Sequence, residues 1–243
     1  MRVRFIGSGD AFGSGGRFNT CFHVTGARVN FLLDCGASSL IAMKRLGIDR
    51  NAIDLILITH FHADHFGGIP FFVLDAQLVA KRMRPLVIAG PPGLPDWYAR
   101  LFAATFPGER RLPFELSLRE VAIGERNDIG DLRVMPFHVR HDDKAGPCLA
   151  YRIEVEGKIL CYSGDTEWTD TLIEAARGAD LFICECYYFD KPVRAHMALS
   201  VLQQHLPAIG AKRVILTHMS EDMLGRPGDV GYETAEDGKI VEV

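Results

Sequence analysis

The chain has 243 residues, 48% of them hydrophobic and 24% charged, and a formal net charge of −4. That length is enough to bury a substantial core. The negative balance argues against one wholesale electrostatic grip on nucleic acid, which needs clustered Lys and Arg, and no stretch approaches the roughly 18 apolar residues of a membrane span.

In chain order, Met1–Gly7 breaks off into Gly/Ser-rich sequence too early for a secretory leader. The six cysteines, Cys21, Cys35, Cys148, Cys161, Cys184 and Cys186, lie scattered in apolar segments and read as reduced core thiols of a cytoplasmic protein. Apolar or β-branched runs bounded by Gly, Asp, Asn or Pro predict strands at Val3–Ile6, Thr20–Val24 and Asn30–Leu33. A helix over Ser38–Leu46, a strand at Leu55–Ile58 and a helix over about Gly67–Arg82 follow. Next come a strand at Leu86–Ala89, a helix over Pro95–Phe106, and strands at Phe114–Val121, Leu132–Pro136, Cys148–Val155 and Ile159–Tyr162. A helix over Asp170–Arg177, a strand at Leu181–Cys184, a helix over Ala198–Ile209 and a strand at Val214–Leu216 complete the series. With no repeat and no long linker, one α/β domain over residues 1–243 is expected, its two sheets inside and its helices outside.

The polar residues of interest stand where apolar strands stop: Asp34, His60, Asp165, Glu185 and His218, with His141 a few residues past its strand. Side chains from separate strands converge at such carboxyl ends. In Thr59-His60-Phe61-His62-Ala63-Asp64-His65-Phe66-Gly67-Gly68, four ligand-type side chains follow a strand on a turn. His60 and His62 are expected to face one metal, and Asp64 and His65 a second. Imidazole with carboxylate suits Zn²⁺ or a neighbouring first-row ion, whereas Mg²⁺ and Ca²⁺ prefer oxygen shells. Gly67-Gly68 lets the next helix start close behind the metals without a Cβ clash.

On these residues the chain resembles the metallo-β-lactamase superfamily over nearly its whole length. His-x-His-x-Asp-His is that family's central motif, matched by His60, His62, Asp64 and His65. Asp34 matches an early acidic residue that steadies the metal-site loop without ligating. His141 matches the third ligand of the first metal, Asp165 the bridging carboxylate, and His218 the last ligand of the second metal. His138 is a rival for His141; His141 is preferred because His138 directly follows the Val134–Phe137 run, whereas the family's ligand sits just past it. His23 and His205 read as an ordinary strand or helix histidine. The resemblance implies a four-layer αβ/βα sandwich, two divalent ions (zinc foremost, manganese or iron as alternatives) and a metal-bridging hydroxide as nucleophile.

Departures narrow the branch. The exported β-lactamases of this fold carry Cys where Asp165 stands, flavodiiron proteins carry Glu in place of His62, and glyoxalase-type thioesterases append a helical domain; the chain shows none of these. Phe5–Phe12 and Arg17–Thr20 are similar to the opening of ribonuclease Z and its phosphodiesterase relatives, as is the Glu185 … His196 pair, which would place His196 beside the scissile phosphate. Asp64, His196 and Glu185 form the expected catalytic set. Glu185 faces oppositely to Cys184 and Cys186 in a strand, so those two sulfurs are expected to pack in the core. The transfer-RNA-binding arm of ribonuclease Z is inserted between the third His and the bridging Asp, an interval here filled by strand, turn and strand, so transfer RNA is not expected as a partner. The expected substrate is a small phosphodiester, met through a loop carrying Lys191 and Arg194. The alternatives are a lactonase or thioesterase on the same metals, or a non-catalytic metal-binding protein. A homodimer is left open. Trp97, Tyr98, Phe102 and Phe106 read either as an aromatic lid or as one helix packed on the core.

Overall fold

Two sheets of seven strands form from runs whose apolar side chains outnumber what a single buried face requires. In the computed structural model, which describes residues 1–243, the first sheet holds β1 (Arg2–Gly7), β2 (Cys21–Thr25), β3 (Asn30–Leu33), β4 (Leu55–Leu57), β5 (Leu86–Gly90) and β6 (Leu116–Glu120) in that order, with β14 (Ile240–Glu242) beside β1. The second runs β7 (Asn127–Ile129), β8 (Leu132–His138), β9 (Leu149–Val155), β10 (Lys158–Tyr162), β11 (Leu181–Glu185), β12 (Val214–Thr217) and β13 (Glu233–Thr234). Each sheet is antiparallel at one side and parallel at the other: β3 to β6 pair in parallel, as do β10 to β13. The parallel strands β4 and β11 are buried along their whole length, as strands covered on both faces must be.

Three apolar interfaces separate four layers. Val3, Phe5, Phe22 and Leu33 of the first sheet meet Tyr151, Ile153, Leu160 and Ile183 of the second. Helices α1 (Ser39–Arg45), α3 (Ile69–Leu78) and α4 (Leu94–Thr105) cover the first sheet through Met43, Phe72, Val73 and Phe102. Helices α5 (Thr171–Ala176) and α6 (Leu199–Ile209) cover the second through Leu172, Ala176, Leu199 and Leu202. This is the expected α/β sandwich. Trp97, Tyr98, Phe102 and Phe106 all pack with the helix-covered face of the first sheet, and Trp97 stacks on Phe61 at 5.4 Å.

Several boundaries differ from the sequence pattern. The helix expected over Gly67–Arg82 is shorter, α3 from Ile69 to Leu78, and a separate turn of helix not expected from the sequence, α2 (Ala63–Phe66), precedes it. It stops at Leu78 because the chain turns at Lys81, which has φ +50°, and Arg82 is buried with its guanidinium donating to the carbonyls of Arg50, Asn51, Arg84 and Pro85. The strands β7, β13 and β14, and helix α7 (Glu221–Leu224), are two to four residues long and carry no periodicity to read. β14 exists because β1 offers it an edge, Val3 opposite Val241.

Candidate metal centre

Parallel pairing brings the carboxyl ends of β3 and β4 in one sheet, and of β10, β11 and β12 in the other, to one rim of the sandwich. The loops after β3 and β4 are laced directly together. The Cys35 N–H donates to the His65 carbonyl (2.7 Å), the Ala37 N–H to the Ala63 carbonyl (3.0 Å) and the Gly68 N–H to the Cys35 carbonyl (2.8 Å). This approach leaves no room for side chains: a Cβ on Gly36 would lie 2.1 Å from the Asp64 carbonyl oxygen, and one on Gly68 2.2 Å from that of Gly36. Asp34 and His218 both hold φ +57°, a left-handed conformation that L-residues adopt at a cost. At each, the strain turns a side chain at a strand end into the centre.

The seven donors named from the sequence fall into two groups, within each of which the atoms lie inside 4.8 Å of one another: His60, His62 and His141; and Asp64, His65, Asp165 and His218; His196 comes equally close to His141 with Asp165 and to Glu185 with His218. Asp165 Oδ2 stands between the two groups, 3.2 Å from His65 Nε2, 3.2 Å from His218 Nε2 and 3.9 Å from His141 Nε2. Of the seven residues named from the sequence, all seven meet here. His138 does not: it ends β8 with its ring exposed, 3.5 Å from Asp143. His23 bonds to Asn30, and His205 stacks on Trp168 at 3.9 Å, both away from the centre.

Hydrogen bonds behind four of the five histidines leave one nitrogen of each free to face inward; in the fifth, His218, Nδ1 is buried without a hydrogen-bond partner. His65 Nδ1–H donates to Asp34 Oδ2 (2.7 Å), and His141 Nδ1–H donates to the Ala195 carbonyl (2.7 Å). His60 Nδ1–H donates to the Thr59 hydroxyl (3.1 Å), which in turn donates to Asp34 (2.9 Å). His62 reverses the pattern, with Nε2 on Asp142 (3.3 Å) and Nδ1 inward. Such partners fix the tautomer and aim of metal-binding imidazoles. Thr59, Asp142 and Ala195 were not singled out from the sequence. Asp142 adjoins His141 and could have been noticed, whereas a backbone carbonyl 54 residues away leaves no sequence signal.

These donors fit divalent cations. His62 Nδ1 lies 3.1 Å from His60 Nε2 and 3.0 Å from His141 Nε2; a tetrahedral ion with bonds of about 2.0–2.1 Å separates neighbouring donors by roughly 3.3 Å. In the other group, His65 Nε2 and Asp165 Oδ1 are buried without a hydrogen-bond partner, a state that costs free energy unless something else meets them. Asp34, Asp64, Asp165 and Glu185 are all buried in this one region, and buried carboxylates require compensating charge. Burial favours the neutral form of Asp165, but the neighbouring His218 and His65 outweigh it and hold the carboxyl well below the usual range.

A cleft of about 200 Å³ opens over the donors, lined by Ala11, Phe12, His62, Asp64, His141, Asp165, Tyr187, His196 and His218. His196 Nδ1 meets Glu185 Oε2 at 2.9 Å, and Glu185 also accepts from the Thr166 N–H. Burial alone would lower the His196 pKa, yet the Glu185 charge raises it to about 9. Tyr187 stacks on the His196 ring at 4.7 Å. Lys191 and Arg194, expected to meet substrate, do not line the cleft; both are exposed, and Lys191 Nζ lies over the Tyr188 ring. No cysteine joins either donor group, and all six are buried free thiols. Burial pushes the Cys35 thiol up to about 12, so it stays protonated in the core.

A model of the beta-lactamase superfamily domain matches residues 29–219, an interval that holds every donor of both groups. Ribonuclease Z of Agathobacter rectalis is 29% identical over 248 aligned positions, covering 80% of each chain. Two solved structures share the fold over the entire chain. The metallo-beta-lactamase fold protein YhfI from Bacillus subtilis has a TM-score of 0.82 at 19% identity and 99% coverage of its own chain. The short form of human tRNase Z has a TM-score of 0.81 at 24% identity, also with 99% of its chain covered. Relatives of these names give no support to the expectation that transfer RNA is excluded. No helix is long and apolar enough to cross a membrane. The domain match, the ribonuclease Z relatives and the sandwich together show that the chain belongs to the metallo-β-lactamase superfamily, in its ribonuclease Z-like branch, and is a metal-dependent hydrolase.

Proposed function

We propose that the protein is a dinuclear phosphodiesterase acting on a small phosphodiester. His60, His62 and His141 would hold one ion, Asp64, His65 and His218 the other, and Asp165 both; zinc suits this nitrogen-rich donor set best, with manganese or iron as alternatives. Two such ions supply an activated water near neutral pH and stabilise charge on the attacking and leaving oxygens. The protein's own residues do the rest. Asp34 and Thr59 orient imidazoles from behind, and His196, outside the ligand set, holds a proton over the cleft with Glu185 fixing its ring.

The observation that carries this reading is the Glu185–His196 pair beside Asp165. An ester whose leaving group is a poor one needs a proton delivered to the departing oxygen, and a buried carboxylate behind an imidazole supports that role. The interval between His141 and Asp165 holds one 3-10 turn (Asp143–Ala145), β9, a short turn and β10, which supports a small substrate over one needing a long docking arm. The test assays zinc-loaded protein against bis(p-nitrophenyl) phosphate, a lactone, a thioester and precursor transfer RNA. Phosphodiester hydrolysis well above the lactone and thioester rates is the expected outcome. Faster acyl transfer would move the protein to a lactonase or thioesterase, and accurate 3′ cleavage of the RNA would replace the small substrate with transfer RNA.

A further inference from the structure

Phe12 is 83% exposed, yet it lines the metal cleft. The backbone of the loop that carries it is tied by hydrogen bonds. Asp10, itself wholly buried, accepts from the N–H of Phe12 (3.2 Å), the N–H of Ser14 (2.9 Å) and the Ser14 hydroxyl (2.7 Å). One residue further, the Gly15 N–H donates to Glu221 at the start of α7 (2.8 Å). A phenyl ring is thus held at the mouth of the site with its face in water, where it is not used in packing. None of the other strongly exposed apolar side chains lines the cleft, so the ring does not continue into a larger apolar surface.

The size of the cleft says what the ring is for. At about 200 Å³ it falls below the ~300–1,000 Å³ of sites that enclose a drug-sized ligand. It takes the reacting group and little more, leaving the remainder of a substrate against the rim. We propose that Phe12 is a stacking platform for a planar aromatic group attached to the reacting ester, which makes the substrate a nucleotide-type phosphodiester with its base at the cleft mouth. An acyl chain would need an enclosed apolar groove, and the rim offers one open ring face instead. A base fits that geometry because its π-face meets the ring while its polar edges stay hydrated. Phe12 sets specificity and takes no part in the chemistry.

The inference rests on the phosphodiesterase reading, and the experiment separates the two. Binding of adenosine 5′-monophosphate and of ribose 5-phosphate to zinc-loaded protein is measured by calorimetry; the two ligands share phosphate and sugar and differ in the base. Stacking of one base on an aromatic side chain corresponds to roughly a five- to hundredfold preference for the nucleotide. Phe12→Ala should bring the two affinities together, Phe12→Trp should keep them apart, and neither should alter metal content. Equal affinities in the wild-type protein, or an unchanged preference in F12A, would overturn the stacking role while phosphodiester hydrolysis stands. If neither ligand binds and no diester is hydrolysed, the phosphodiesterase reading falls and this inference with it.

Discussion

Asp34 shows how much of the centre depends on side chains that would never touch an ion. Its two oxygens serve His65 Nδ1, the Thr59 N–H and the Thr59 hydroxyl, and through Thr59 they reach His60, so one carboxylate aims a donor in each group. Asp34→Ala should weaken zinc binding about 10- to 100-fold, the usual scale for losing such a partner, as read by competition with a chromogenic chelator; unaltered affinity would remove Asp34 from the centre. His196 separates metal binding from proton transfer. His196→Ala should leave metal content unchanged while turnover of a substrate with a poor leaving group falls roughly 10²–10⁴-fold. The loss should shrink for p-nitrophenolate, which departs without needing a proton. Glu185→Gln should give a weaker version of the same pattern, because Glu185 acts through the ring it positions. Normal H196A turnover of poor leaving groups would reduce the site to its metals.

At the scale of elements, sheet edges are held by charge where they lack length. β13 has two residues and joins β12 in parallel, and beside this pairing Arg213 forks onto Glu233, Nε to Oε2 and Nη2 to Oε1, both at 2.8 Å. Hydrogen bonds from Arg213, with Lys239 adding to them, lower the Glu233 pKa to about 2. A carboxylate whose folded pKa is depressed contributes stability above its unfolded pKa of ~4.3, and that contribution is lost as pH falls towards the folded value. Wild-type and Glu233→Gln proteins should therefore differ in stability at pH 6 and converge between about pH 4 and pH 2. The pair is partly exposed, so the difference should not exceed about 1 kcal/mol. Urea melts across that range measure it, and a gap that persists at pH 2 would assign the effect to packing.

For the whole molecule, the sandwich brings its charged centre together from both sheets, and the ions would serve folding as well as chemistry. Four buried carboxylates, Asp34, Asp64, Asp165 and Glu185, come from four separate segments of the chain. Compensating them ties those segments together, and ligand that binds only the folded state stabilises it by about 2.7 kcal/mol at a hundred times its dissociation constant. Elemental analysis should find about two ions per chain, and chelation should lower the melting temperature, with recovery on adding Zn²⁺. A stoichiometry of one or less after reconstitution would exclude the dinuclear arrangement.

The sequence by itself determined the layered α/β class and the family. It also marked the seven side chains that the fold gathers at one rim, because His60 to His65 sit within one turn and the others each follow an apolar strand, a local pattern that survives in one dimension. Which nitrogen each histidine turns inward was decided only by tertiary structure. Thr59, Asp142 and the Ala195 carbonyl come into place through sheet pairing and loop contacts that leave no spacing to read. The short strands β13 and β14 were illegible for the same reason: two or three residues hold no period, and their conformation is borrowed from the edge they meet. Lys191 and Arg194 stand outside the cleft lining, a placement that charge near a motif does not specify. Phe12 lay within a segment the sequence marked, but its position at the cleft mouth depends on a buried Asp10 and on α7, some 200 residues further along the chain.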